Sequence, residues 1–279
     1  MADRTARPES EASLSLALPR YPDAKRCSVR EHRPFDLRRR EPSYDARVTA
    51  SIESDDAEFD SHAGRYREMH AAVLTASGEG PEYFAQYKLR VVRDITGSDA
   101  RPVLDYGCGI GNLTQILGDG HTEVHGYDPS TKSVETARER APFATFHDRL
   151  DDVPRDHFGT IVLANVLHHV RPRERAGVLR DVVPMLAAGG RVMIFEHNRW
   201  NPLTVRAVRR CEFDEGVSLL SEPELSRLLE ESGLTEVRTR FIVFFPKVLR
   251  PLRRLEPHLG RLPLGAQMCV WGTRRPDGE

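Results

Sequence analysis

Apolar and polar positions divide the chain into an aperiodic lead and a patterned body. Residues 1–48 are rich in Arg, Pro, Ser and Glu and hold no period, so they are predicted to be a disordered extension. Leu14 to Leu18 is a short apolar piece within it that could dock on the domain or a partner. Residues 49–279 read as a single domain. Helical spacing begins near Phe59 and links it to Ala63, Tyr66 and His70. After the break at Ser77-Gly78-Glu79-Gly80-Pro81, a second helix is predicted over Glu82 to Thr96.

From there short apolar runs alternate with helical stretches. Strands are predicted at Val103–Tyr106, Glu123–Tyr127, Thr145–His147, Thr160–Ala164 and Arg191–Phe195. The intervening helices are Asn112–Leu117, Thr131–Arg140 with Ser130 as N-cap, and Arg173–Leu186, whose last turns Pro184 should kink. Helix Glu222–Ser232 carries a capping box from Ser221 and Glu224, with Gly233 behind it. Two last strands follow, near Val237–Phe245 and Gln267–Thr273. This alternation predicts an α/β fold: a doubly wound, mostly parallel sheet covered on both faces.

The chemistry gathers where the first strand ends. Pro102 to Asn112 runs strand, then Gly107, Gly109 and Gly111, then helix, which brings bare backbone N–H groups to a ligand. Asp128 ends the second strand, roughly 20 residues on, placed to accept from two ribose hydroxyls. Asn112 stands where the dinucleotide fingerprint needs its third glycine. In these residues, Val-Leu-Asp-Tyr-Gly-Cys-Gly-Ile-Gly and Gly-Tyr-Asp-Pro-Ser, the chain resembles the class I S-adenosylmethionine-dependent methyltransferases. The resemblance runs from about Glu58 to the C-terminus and specifies the cofactor more than the substrate.

That resemblance implies a seven-stranded sheet closed by an antiparallel last strand. It also implies N-terminal cap helices over about residues 58–96, a core over about 101–198, and lid segments over about 199–220 and 246–266. It implies S-adenosyl-L-methionine as cofactor and S-adenosyl-L-homocysteine as product. Asp105, Gly107, Cys108, Gly109 and Gly111 would face the cofactor's methionine part, and Asp128 with Pro129 its ribose. Asp148 and the Arg149 amide would meet adenine, Asn165 the ammonium, and Tyr66 would cap the sulfonium. Tyr87, with Phe59, is a further capping candidate that also falls to the substrate side.

Residues at the remaining strand ends supply the acceptor side, because ligands lie across the C-terminal ends of an open α/β sheet. Glu196, His197 and Asn198 end the fifth strand, where three polar residues are costly to bury without purpose. His197 is the first candidate for a general base, followed by His168 and His169. Trp200 and Phe213 stand on the first lid segment. In the second, Leu249, Leu252 and Leu255 form one face, with Lys247, Arg250, Arg253 and Arg254 on the others.

The totals narrow the partners. Net charge is −1 over 279 residues, so no global field favours nucleic acid. Cys27, Cys108, Cys211 and Cys269 form no CxxC pair and fit a reducing cytoplasm. No apolar run reaches the roughly 20 residues of a membrane span, and no signal peptide is evident, so a cytoplasmic protein is expected. The adjacent pair His168-His169 lacks metal spacing, so no metal site is expected. The expected function is methyl transfer to a small-molecule acceptor, oxygen first, of natural-product or lipid-like character. The alternatives are transfer to nitrogen or carbon, a macromolecular acceptor, or a non-catalytic cofactor-binding scaffold. Peripheral membrane contact through the basic, apolar second segment, and a monomer or homodimer, stay open.

Overall fold

The structure is a computed structural model that describes residues 78–97, 101–121, 123–211 and 216–276. The extension over 1–48, the first cap helix with Phe59 and Tyr66, and Phe213 lie outside the described residues.

The described chain opens with helix α1 (Pro81–Thr96), then β1 (Val103–Tyr106), α2 (Thr114–Leu117), β2 (Val124–Tyr127), α3 (Thr131–Arg140) and β3 (Thr145–His147). A 3₁₀ turn at Leu150–Asp152 leads to β4 (Phe158–Ala164), α4 (Arg175–Val182) and β5 (Leu186–His197). Helices α5 (Pro202–Val208) and α6 (Glu222–Glu231) precede β6 (Thr235–Ile242). A 3₁₀ segment, Lys247–Leu255, and α7 (Glu256–Leu259) lead to β7 (Gln267–Thr273). The seven strands form one sheet in the order β3-β2-β1-β4-β5-β7-β6. β7 alone runs antiparallel, to both β5 and β6.

Alternation along the buried strands divides two cores. Val103, Val162, Met193, Phe195 and Cys269 face α1 and α2. Leu104, Ile161, Leu163, Val192 and Ile194 face α4 and α6. Leucine and isoleucine side chains fully withdrawn from water, as Leu104 and Ile161 are, contribute about 1.5–3 kcal/mol each. α1 turns Phe84, Ala85, Leu89, Val91 and Val92 inward, and Lys88 lies buried in the same stripe. It is therefore a structural layer against the sheet, not a cap standing over it.

Caps behave as the sequence implies. Ser130 accepts from the Ser133 amide at 3.1 Å, and Glu224 accepts from the Ser221 amide at 2.6 Å. Several boundaries differ from expectation, two of them for a visible reason. α4 ends at Val182, and Val183–Met185 is a 3₁₀ turn. Pro184 has no N–H to extend a helix, and Leu186 already pairs with Phe158 as the start of β5. Gly189, at φ +68°, lets that long strand turn within itself. β6 stops at Ile242 because Val243 takes φ +60°, a strained value for a β-branched residue.

Candidate active site

The sheet reverses direction of winding between β1 and β4, which opens a crevice at their C-terminal ends. One wall is the turn after β1. Gly107, Gly109 and Gly111 take φ of +75°, +51° and +77°. A Cβ on Gly107 would lie 2.6 Å from Val166 Cγ2, and one on Gly111 would lie 3.1 Å from Ala137 Cβ. A Cβ on Gly109 would meet nothing within 4 Å. Two of the glycines thus let neighbouring segments close in, and the middle one faces open space.

Asp128 joins β2 to this turn. Its carboxylate accepts from the Gly109 amide at 2.8 Å and from the Ser130 amide at 3.0 Å. Pro129 between them is exposed. The Gly107 and Cys108 amides donate to the Tyr127 carbonyl at 2.7 and 3.0 Å, so these two brace the turn from inside. Burial, with Asp105 and Asp128 adding to it, pushes the Cys108 thiol well up, which keeps it an unreactive small side chain. Asp105 is buried and accepts from Thr114 Oγ1 at 2.7 Å, tying β1 to α2. Burial raises its carboxyl to about 6 against that hydrogen bond.

Asp148 is half-buried after β3 and accepts from Thr131 Oγ1 at 3.3 Å. Arg149 is exposed and pairs loosely with Asp152 at 3.9 Å. The Asp128 amide donates to the His147 carbonyl at 3.2 Å, which sets the β3 end beside the Asp128 carboxylate.

Across the crevice, Asn165 takes φ +60°, a conformation asparagine tolerates better than most residues. Its amide donates to the Phe195 carbonyl at 2.8 Å. Its Oδ1 is buried and has no hydrogen-bond partner, and a buried polar atom of that kind calls for a ligand or ordered water. The next residue, Val166, is the one that abuts Gly107, so Asn165 sits against the glycine turn.

The acceptor-side residues have a different fate. His168 Nδ1 is 2.6 Å from Glu196 Oε2, and the Leu167 amide donates to Glu196 Oε1 at 2.8 Å. Both side chains are about 1% exposed. Burial alone would raise the Glu196 carboxyl, but the charge and hydrogen bond of His168, with His197 and His169 behind it, hold it below the usual carboxylate range. The pair staples the β4–α4 loop to β5. His197 and His169 are half-buried, and their rings lie 5.3 and 4.2 Å from that of His168.

Asn198 was expected on the substrate side. Its amide group donates to the carbonyls of Pro263 and Gly265 at 3.0 and 2.8 Å, and its Oδ1 accepts from the Trp200 amide at 3.0 Å. It clamps the segment after β5 to the one before β7 and has no amide hydrogen left for a ligand. Tyr87, expected as a cap, is directed to the Glu256 carboxylate and the Val243 backbone, and burial raises its hydroxyl. Glu256 also accepts from the Phe244 and Phe245 amides at 3.1 and 3.0 Å, so it anchors the second lid segment. The leucine face of that segment is open: Leu249, Leu252 and Leu255 are 42%, 39% and 47% exposed. Trp200 is half-exposed over a groove of about 550 Å³ shared with Arg199, Arg206, Arg209 and Arg210.

Sequence reasoning missed Lys88, Thr114 and Glu256. Lys88 lies among apolar side chains, under the influence of Glu196 and Asp105, and burial lowers its ammonium to about 8. A lysine at a buried position of an amphipathic period was its only signal.

A seven-stranded sheet of this order with a glycine turn at its switch point defines a Rossmann-like methyltransferase fold. The methyltransferase domain family matches residues 66–239, more than half of the chain, and the chain belongs to that family. It is 31% identical over 173 residues to an uncharacterized methyltransferase of Bacillus cytotoxicus, covering 57% of this chain and 81% of the relative. An uncharacterized methyltransferase of Staphylococcus carnosus is 29% identical over 147 residues, 50% of this chain and 70% of the relative. A solved SAM-dependent methyltransferase of Thermotoga maritima, described as a possible histamine N-methyltransferase, superposes with a TM-score of 0.57 at 18% identity. That superposition covers 78% of this chain and 98% of the other, a likeness of fold. The chain is a methyltransferase.

Proposed function

We propose that the chain moves a methyl group from S-adenosyl-L-methionine to the oxygen of a small, mixed apolar and anionic acceptor. The observation that carries the cofactor half is Asn165 Oδ1, buried without a partner beside the glycine turn. An ammonium group would satisfy it, and the Asp128 carboxylate, held beside the glycine turn by the Gly109 and Ser130 amides, is the acceptor for ribose hydroxyls. The residues present therefore fit the cofactor.

When bound, S-adenosyl-L-methionine supplies a methyl on a positively charged sulfur leaving group. The chain has to hold the acceptor about 3 Å away and in line, and to exclude water. Gly109 leaves the approach open, and Asn165 and Asp128 fix the two ends. His197, half-buried at the end of β5, takes the proton of a hydroxyl acceptor as the oxygen–methyl bond forms. The arginine-lined groove beside Trp200 adjoins the end of β5 and suits an anionic group on an apolar body. Leu203, Val248 and Leu264, each more than 65% exposed, support a second reading in which the acceptor is drawn from an anionic lipid surface.

The test is isotopically labelled cofactor with a metabolite extract, then His197→Ala against the acceptor so found. The expected result is a labelled oxygen-methylated product and a transfer rate at neutral pH lowered by about 10²-fold. An unchanged rate removes His197 as the base and the oxygen assignment with it.

A further inference from the structure

On the face of the sheet opposite α1, three histidines and a glutamate converge from β2, β3 and the start of β4. Glu123 immediately precedes β2, His125 lies within β2, His147 ends β3, and His157 immediately precedes β4. Glu123 Oε1 is 3.0 Å from His125 Nε2 and 2.7 Å from His157 Nε2. The three atoms lie within 4.8 Å of one another. His125 Nδ1 is 3.0 Å from His147 Nε2, with the two rings stacked at 11°.

From this geometry we infer a site for a divalent transition metal of the zinc class, ligated by Glu123 Oε1, His125 Nε2 and His157 Nε2. Zinc takes imidazole nitrogen and carboxylate oxygen at about 2.0–2.2 Å, and three protein ligands plus water make a four-coordinate site. Ligand atoms around such an ion stand roughly 3.3 Å apart, by tetrahedral geometry from those bond lengths. The observed separations from Glu123 need to open only by a few tenths of an ångström. Glu123 is half-exposed and His157 a third exposed, so ions have a path in and water can complete the shell.

The surroundings match what a ligating histidine needs. His125 binds through one ring nitrogen and presents the other to His147, the outer partner that fixes tautomer and ring direction. The rings of His125 and His157 both pack edge-on against Phe158, at 5.1 and 5.0 Å between centroids, which restricts their rotation. Without a metal the same groups form a hydrogen-bonded bridge in which both Nε2 atoms donate to the one carboxylate oxygen. When a metal takes both Nε2 atoms, each ring stays neutral by carrying its one proton on Nδ1, and His125 Nδ1–H donates to His147 Nε2, whose own proton sits on Nδ1. The ion then ties β2 to β4 across β1, at the opposite ends of the strands from the glycine turn.

The test uses the full chain, treated with chelator and then titrated with zinc alone by calorimetry, with cobalt(II) as a visible-absorption probe. The expected result is one equivalent of zinc bound, a raised melting temperature, and a cobalt spectrum of low-coordinate form. His157→Ala and Glu123→Gln each weaken zinc at least tenfold and abolish the cobalt band. Both variants keep wild-type affinity for S-adenosyl-L-methionine, which shows that they fold. No stoichiometric zinc binding, or zinc binding unchanged in both variants, overturns the site and leaves the cluster a hydrogen-bonded bridge. Neither result bears on methyl transfer, since Glu123 and His157 stand at the N-terminal ends of β2 and β4.

Discussion

The two walls of the crevice are built on different principles. The β1–β2 wall presents backbone. Its glycines pack closely or leave space, and its functional side chain, the half-buried Asp128, is held by two amides. The β4–β5 wall presents side chains, and most of them are already engaged with each other. His168 is bound to Glu196, and Asn198 is bound to the second lid segment. A polar residue at a strand end is thus evidence of a site only when the fold leaves it unsatisfied. On the second wall Asn165 meets that condition, and Glu196 and Asn198 do not.

This difference predicts that damage to the second wall is felt as stability and damage to the first as affinity. The largest effect is expected for Glu196→Ala, which strands the buried His168 and the Leu167 amide. Chemical denaturation should show a loss of about 3 kcal/mol, with cofactor affinity of the folded fraction within about threefold of wild type. Because the Glu196 carboxyl is held below its usual range, its contribution is complete above about pH 4.3 and fades as pH falls further. Wild type and variant should therefore converge in acid. Intact stability with lost transfer would instead make Glu196 part of the chemistry.

Asp128→Ala is next. Calorimetric affinity for S-adenosyl-L-methionine should fall by about 2 kcal/mol, roughly thirtyfold. The melting temperature should hold nearly constant, because Asp128 is only partly buried. Unchanged affinity would remove it from the site.

The smallest effect sharpens the boundary between the walls, where Lys88 lies under both Glu196 and Asp105. Its folded value of about 8 is below the unfolded value near 10.4, so the unfolded chain holds more protons between those limits and stability rises with pH there. Lys88→Met should remove that rise. Denaturation at about pH 9 and pH 10 should show wild type gaining about 1 kcal/mol relative to the variant. Parallel curves would mean that Lys88 is solvated in the folded chain.

The sequence by itself determined the order of strands and helices, the glycine turn and Asp128. Those features are local: a period, a cap or a turn is written in consecutive residues, and neighbouring backbone atoms enforce it. β1, β3 and α3 fall at their predicted bounds for that reason, and Ser130 caps where it should. The ends of α4 and β6 did not, because a long-range pairing of Leu186 with Phe158 and a strained Val243 decided them. Only the tertiary structure decided which polar residues were free. Asn198 and Tyr87 found partners more than 60 and 150 positions away, at Pro263 and Glu256. Glu123, His125, His147 and His157 have no common spacing, and they meet because parallel pairing brings β3, β2, β1 and β4 side by side. Hydrogen bonding between groups so far apart in the chain is fixed by sheet order and register, and no window of sequence contains both partners.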